Sequence, residues 1–511
     1  MKKILILLCI GVLASSCKKS FLELSPKDQY SPGNFYQTEA QFRQAVNAAY
    51  TPLRSLLDND YFTAESRSGN THYEYNAGQR GTAYLQRETI VDFTDDPTNA
   101  YTNAVYFHCY NSIAKANIVI DRIDAADFDA TAKNALQGEA KFLRAWNYFR
   151  LVRYFGGVPL YLNEVRTAEQ AFLPRATTEQ VYAQILADAQ DAIAKLPSPA
   201  KFPQSGTATK GAATMLLAEV YATQKKWAEA ETLLNTLPAM GYQLLSNYAD
   251  VFKTANKNSR ESIFEVQFLE GLQGGQQSNF IYLFLPRTTN TTLITGVATN
   301  NTGTGGWNTP SADLLNSYET GDKRKDASIG IAEGTYNSSK VFAISANKSS
   351  VNYTPATGKV GVPYIKKYVN PHTNPNNTND NWPIYRYADA LLLLAEVQNE
   401  QNKTDLAIAN VNKVRVRAGL TNLSGLAQTE LRATILHERR IELAFENHYW
   451  FDLLRSGTAI AAMNAYGAKL KTTNTYLGAD TYQVSEQKLL FPIPQSEREI
   501  NPQLTQNPGY F

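Results

Sequence analysis

Leu216-Leu217-Ala218-Glu219-Val220 recurs further along the chain as Leu393-Leu394-Ala395-Glu396-Val397, and each copy is followed by an alanine at a matching place, Ala230 and Ala407. Both copies lead into a polar turn, Gln224-Lys225-Lys226 or Asn402-Lys403-Thr404, and then into a second helical run. Leucine and alanine rank highest in helix propensity, and a helix that is apolar most of the way round has to be buried. The two stretches therefore predict two buried helix pairs and a mainly α chain.

Each pair resembles a tetratricopeptide unit, in which small residues of one helix pack against large ones of the next. The copies lie too far apart for one continuous solenoid, so the intervening chain must leave the helical scaffold and return. Its composition changes accordingly. Residues 271–310 and 336–381 are crowded with Thr, Asn, Gly and Ser, including Thr302-Gly303-Thr304-Gly305-Gly306-Trp307 and Asn370-Pro371-His372-Thr373-Asn374-Pro375. Such segments predict either loops laid over a scaffold or partly disordered chain. The β-prone pieces Ser262 to Phe268 and Phe280 to Leu285 predict a few short strands at most.

Other helices announce themselves by their caps. Thr38 with Gln41 and Thr177 with Gln180 are spaced as capping boxes. A long helix is predicted over about 135–155, with Phe142, Trp146, Phe149 and Val152 on one stripe and Gly156-Gly157 and Pro159 as its stop.

Met1-Lys2-Lys3, an apolar run from Ile4 to Ala14, and Ser15-Ser16-Cys17 have the layout of a secretory leader, 1–16, with a cysteine directly after the small residues. That placement predicts cleavage before Cys17 and acylation of its sulfur. Losing Lys2 and Lys3 lowers the formal charge from +2 to about zero, so no charge excess draws the chain to nucleic acid. Of the 3 cysteines only Cys109 would remain unmodified, which leaves no internal disulfide. Stability must then come from a large apolar core. Lys18 to Pro32 carries no helix signal and would serve as a tether.

Several apparent catalytic motifs dissolve. His437-Glu438-Arg439-Arg440 begins like a zinc-protease helix, but Ile441 stands where the second histidine should be. The 5 histidines show no metal-ligand spacing, and the Gly-rich run before Trp307 lacks the Gly-Lys-Ser/Thr ending of a phosphate loop. Glu438, Glu442 and Glu446 are spaced to share one helical face, and paired carboxylates are what a glycosidase needs. Arg439, Arg440 and the 452–455 segment supply the charge for an ion-pair network instead. Cys109 reads as a buried thiol. No cofactor and no metal site is expected.

Several segments together resemble the SusD/RagB outer-membrane lipoproteins of glycan-utilisation systems. They are 138–149 (GEAKFLRAWNYF) with Gly156-Gly157-Val158-Pro159-Leu160, 385–396 from Tyr385-Arg386-Tyr387-Ala388-Asp389-Ala390 into Leu394-Ala395-Glu396, 412–420, 438–446 (ERRIELAFE) with 450–455 (WFDLLR), and Phe491-Pro492-Ile493-Pro494 with 506–510. They occur in the family's order. The resemblance implies one α-helical unit over 17–511, with an N-terminal part at about 17–230 and a RagB/SusD C-terminal part at about 260–511. It also implies lipid anchorage in the outer membrane facing outward, and a SusC-type TonB-dependent transporter over which the lipoprotein sits as a non-catalytic lid.

Oligosaccharide capture needs flat aromatics against C–H-rich sugar faces, ringed by amide, carboxylate and guanidinium groups. Two segments carry that mixture: 58–84, with Tyr61, Asn70, Tyr73, Tyr75, Arg80 and Tyr84, and the excursion, with Phe280, Tyr282 and Trp307. Trp307 is the foremost candidate, because its Gly and Thr neighbours give it little local packing. Peptide is the alternative ligand. A surface α-helical glycoside hydrolase using Glu438, Glu442 or Glu446, and a pure assembly adaptor, are the readings from other classes.

Overall fold

The computed structural model describes residues 35–271, 275–338 and 341–510. The leader, Cys17 and the expected tether lie outside them.

The first half is a run of helices: α1 (Glu39–Tyr50), α2 (Pro52–Thr63), α3 (Thr82–Val91), α4 (Ala100–Arg122), α5 (Ala130–Phe155), α6 (Thr178–Lys195), α7 (Lys210–Thr223) and α8 (Trp227–Leu234). The capping boxes at Thr38 and Thr177 form as expected, with each Thr side chain accepting from the Gln backbone N–H and each Gln side chain reaching back. α5 runs beyond its predicted start and ends where Gly156 takes φ 72. Its length buries Phe142, Trp146, Phe149 and Tyr154.

The second repeat forms α9 (Tyr387–Glu400) and α10 (Thr404–Ala418), followed by α11 (Gln428–Glu442), α12 (Tyr449–Ser456) and α13 (Ala459–Lys471). Successive helices pack on one another from α4 through α8, and α8 then packs directly on α9. Glu231 of α8 receives Gln398, Gln401 and Lys403 from the second pair. The two repeats, separated along the chain, thus stack in space. The glutamate they share is a buried or half-buried acceptor in both copies: Glu219 takes Arg153 and the Tyr385 hydroxyl, and Glu396 takes Arg455 through two bonds of 2.7 Å.

The excursion closes at its neck, where strand Ser262–Val266 pairs antiparallel with Trp382–Arg386. Two expectations fail inside it. Phe280–Phe284 is a short helix, since an apolar run of that length has no periodicity to separate helix from strand. The segment expected as loop at 336–381 contributes to a three-stranded antiparallel sheet, Ile329–Tyr336 flanked by Phe342–Ser349 and Val360–Ile365. The outer strand Phe342–Ser349 carries Ser, Asn and Lys on exposed positions, which hid the alternation.

The three acids near the end of α11 form an ion network whose partners differ from those expected. Glu438 takes Arg324 and Arg415; Glu442 takes Arg386 and Arg417; Glu446 takes Arg386 and Lys367. Arg439 instead binds Asp389 and Asp452, and Arg440 binds Asp313. Glu446 also lies beyond the helix, which ends at Glu442. The chain returns it to the network through left-handed residues Phe445 and Asn447, at φ 69 and 66, whose N–H groups donate to the buried Glu65 carboxylate. Cys109 is fully buried, and burial pushes its thiol well above the ordinary range. Among the described residues, no helix is long and apolar enough to cross a membrane.

Burial opposes ionisation of Glu446, but the Arg386 and Lys367 charges outweigh it and hold its carboxyl down at about 2, against an ordinary 4.5. A carboxyl whose pKa falls on folding contributes stability above its unfolded value and loses it as pH drops through the folded one. That shift corresponds to about 3 kcal/mol, lost between roughly pH 4.5 and 2. Glu446→Gln is expected to cost about 3–5 kcal/mol at pH 7, because it leaves Lys367 and Arg386 short of a counter-charge. It should also flatten the stability profile in that acid window, as measured by urea unfolding at a series of pH values.

Candidate functional site

The loop after α2 is bolted to the scaffold before it is free to face solvent. Asn70 donates to Glu65 and accepts from Arg440 of α11. Thr71–His72 then pairs with Thr309–Pro310 in a two-residue antiparallel bridge, at a register of Thr71 to Pro310 and His72 to Thr309. Beyond this bridge, residues 73–79 form one wall of a cleft of about 1290 Å³. The end of α13, the loop through Tyr476, and Arg287, Asp313 and Tyr336 complete the lining.

Tyr75 is 40% exposed and stacks on Tyr476 with ring centroids 4.0 Å apart and planes 4° from parallel. The Arg80 guanidinium lies 4.9 Å from the Tyr75 centroid and donates to Glu88 at 2.7 Å. Tyr336, 46% exposed, adds another aromatic face. Asn76, Gln79, Asn474, Lys469 and Asp313 supply donors and acceptors around these rings. Burial pushes the Glu74 carboxyl up to about 7, opposed by the Arg287 charge. Tyr73 sits deeper, its hydroxyl donating to Asp92 at 2.7 Å.

Tyr73 and Tyr75 line this cleft, and Arg80 supports Tyr75 from behind. The other candidates occupy different places. Trp307 is 1% exposed, so the expectation of an open Trp307 face gives way to an enclosed ring set against Phe62, Tyr73 and Tyr84, with the Arg87 guanidinium 4.8 Å from its centroid. Its partners come from remote segments, which local sequence could not reveal. Tyr84 is half-buried over it and donates to the Gly303 carbonyl. The glycine run is not a free loop: a Cβ on Gly305 would lie 2.4 Å from the Leu285 carbonyl oxygen, and Gly306 takes φ 81 while its carbonyl accepts from Glu74 N–H. Tyr61, Phe280 and Tyr282 are buried, Tyr61 and Phe280 against Phe284 and Trp382, and Tyr282 bonded to His372. Asn70 is fully buried as an anchor.

Tyr476, Tyr336, Arg287, Asp313 and Lys469 were not anticipated. The run Thr472-Thr473-Asn474-Thr475-Tyr476 has the same mixture of small polar residues and an aromatic as the two segments that were singled out. Glu438, Glu442 and Glu446 do not line the cleft.

Two family patterns match successive parts of the chain: one described as starch-binding associating with outer membrane over residues 20–222, and the SusD family over residues 260–510. The chain belongs to the SusD/RagB family. A SusD-like protein of Formosa agariphila is 27% identical, with 97% of each chain covered. The starch-binding protein SusD of Bacteroides thetaiotaomicron is 22% identical, covering 98% of this chain and 97% of its own. Among solved structures, a laminarin-binding SusD-like protein superposes with a TM-score of 0.74 at 24% identity, covering 93% of this chain and all of its own. Surface glycan-binding protein A from Bacteroides uniformis superposes at 0.71 with 22% identity, covering 92% and 99%. The SusD/RagB fold is mainly α, as the repeats and caps implied.

Replacing Trp307 by Ala should therefore act on stability. Truncating a buried tryptophan costs about 3–5 kcal/mol, so the urea midpoint should fall well below that of the wild type. Tyr75→Ala, at an exposed ring, should move it by less than about 1 kcal/mol.

Proposed function

We propose that this protein is a non-catalytic surface lipoprotein that captures oligosaccharides in the cleft at Tyr75 and Tyr476 and passes them to a SusC-type TonB-dependent barrel. The carrying observation is the cleft itself: a stacked, partly exposed tyrosine pair rimmed by amides, a lysine and carboxylates, in a volume suited to several sugar rings. Pyranose C–H groups pack on aromatic surface that stays exposed, as the edge of Tyr75 and the ring of Tyr336 do, and the rim groups take the hydroxyls. Family membership supports a carbohydrate ligand and an outer-membrane location, and the names of the laminarin-binding and surface glycan-binding relatives point the same way.

The hydrolase reading loses its acids, because Glu438, Glu442 and Glu446 are each locked to arginine or lysine inside the scaffold. Membrane attachment would run through lipid on Cys17. Two or more acyl chains hold a protein on a bilayer where one binds only marginally.

Calorimetric titration of the mature chain against a polysaccharide panel tests the binding reading. Saturable, turnover-free binding of a glycan is expected, and Tyr75→Ala and Tyr476→Ala should each weaken it about tenfold or more while the thermal midpoint stays within a few degrees of the wild type. Binding of peptides but no glycan, or glycan affinity unmoved by both variants, would reject this site. For the anchor, Cys17→Ala should shift the protein from the membrane fraction to the soluble fraction of cells that export it.

A further inference from the structure

A second cavity, of about 440 Å³, opens where α1 passes into α2, against the neck strand Ser262–Val266. Sites for small molecules run from about 300 to 1,000 Å³, so this one is large enough to hold a ligand. α2 is 12 residues long, about 18 Å, with the cavity at its start and the loop that lines the cleft beyond its end. The two spaces share no lining residue.

The walls are fixed without a ligand. The Tyr50 hydroxyl donates to Glu139 at 3.0 Å and accepts from the Ala208 N–H at 2.8 Å, which sets its ring 6.3 Å from that of the buried Phe264. Across the opening Gly206 takes φ 88 and packs so close to Gln267 that a Cβ would lie 2.6 Å from the side-chain amide. That amide cannot move aside, because Asn258, Asn381 and the Glu265 carbonyl hold it.

One group in this wall lacks its complement. The arginines of the central network each meet carboxylates: Arg324 takes Asp322 and Glu438, and Arg386 takes Glu261, Glu442 and Glu446. Arg54 is partly buried and makes no ion pair among the described residues, and its hydrogen bond to the Gln267 carbonyl is 3.4 Å long. Burial lowers its pKa, and no carboxylate acts against that. Glu265 also lines the cavity, but its oxygens accept from the Asn258 N–H and the Asn381 amide, and the cation acting on it is Lys257. A guanidinium drawn partly out of water gains from an anion, and its planar fork meets a carboxylate through two parallel bonds. A single such cation balances a single negative charge, which favours a carboxylate over a phosphate dianion. Asn47, Ser205 and Gln276 are exposed at the rim and offer amide and hydroxyl groups to sugar hydroxyls.

We propose that this cavity is a second saccharide site, for one or two sugar rings bearing a carboxylate, with Arg54 pairing with the uronate group. It goes beyond the function assigned to the cleft and does not depend on it.

The test is calorimetric titration of the full mature chain at pH 7 with digalacturonate and dimannuronate, each beside its neutral methyl ester. At least one acid is expected to bind saturably and at least tenfold more tightly than its ester, the scale of a charge-assisted bidentate contact. Arg54→Gln should bring the acid down to the level of the ester. Ser205→Trp, which sets a bulky ring at the rim and keeps Arg54, should weaken the acid at least tenfold, while Tyr75→Ala in the cleft should leave it unchanged. Acids that bind no better than their esters overturn the proposal, as does a preference that survives Arg54→Gln. Loss of acid binding in Tyr75→Ala also overturns it, by placing the acid in the cleft. If Arg54→Gln does not fold, Ser205→Trp decides: unchanged affinity for the acid rejects the site. Failure of neutral glycans to bind would count against the cleft and leaves this result standing.

Discussion

Arg386 holds the structure at its most constrained point. Its guanidinium donates to both Glu446 oxygens at 2.6 and 2.8 Å, to Glu261 at 2.8 Å, to Glu442 at 3.1 Å and to the Glu442 carbonyl at 3.0 Å. Those acceptors come from the start of the excursion, the end of α11 and the turn beyond it, while Arg386 itself ends the returning strand and immediately precedes α9. One planar fork therefore joins the place where the chain leaves the scaffold, the place where it comes back, and the C-terminal half. Arg417 doubles the link to Glu261 and Glu442, and Lys367 brings in the end of the three-stranded sheet. Charges this deeply buried survive only as a complete set, since each ion left alone would cost several kcal/mol. Arginine is suited to the role because its fork meets two carboxylates in fixed geometry where lysine offers a point charge.

The cleft is a consequence of that network rather than an addition to it. The turn that delivers Glu446 puts Phe445 and Asn447 in the left-handed region, and their N–H groups are held by Glu65. Glu65 also accepts from Asn70, and Asn70 accepts from Arg440 on the same helix that carries Glu438 and Glu442. The loop bearing Tyr73 and Tyr75 thus starts from a fixed post. Across the gap, Gly305 and Gly306 let the 301–307 run lie close on the Leu285 carbonyl, which plants Trp307 beneath Tyr73 and Tyr84. A rigid aromatic floor of this kind leaves only the outer tyrosines to adapt to a ligand, which lowers the ordering cost of binding.

What could be read from sequence was what depends on neighbours along the chain. Thr38 with Gln41, Thr177 with Gln180, and the repeated Leu-Leu-Ala-Glu-Val each act within a turn or two, and each appears where it was expected. The ion network was legible in kind, since three acids spaced along a basic helix must find counter-charges. Its partners were not. Arg439 follows Glu438 in sequence, but adjacent residues on a helix point in different directions, so Arg439 reaches Asp389 and Asp452 while Glu438 reaches Arg324 and Arg415. The enclosure of Trp307 was hidden for the same reason. Its surroundings are assembled from Phe62, Tyr73, Tyr84 and Arg87, none of them near it in the chain.

This separation explains why motifs that identify the family say little about its ligand. The quoted stretches 138–149, 385–396 and 438–446 supply Arg144, Arg386, Asp389, Glu438 and Glu442, committed to buried pairs that assemble the scaffold, and Glu139, paired with the partly exposed Arg43. Tyr75 and Tyr476 stand on loops, and Tyr336 at the exposed end of the central strand Ile329–Tyr336, outside the ion network. A change of residue or length in those segments disturbs no member of the ion network. Substitution at Arg386 disturbs all of it, so the positions that hold the fold and the positions that face the ligand are under different physical constraints, and only the first kind leaves a strong pattern in the sequence.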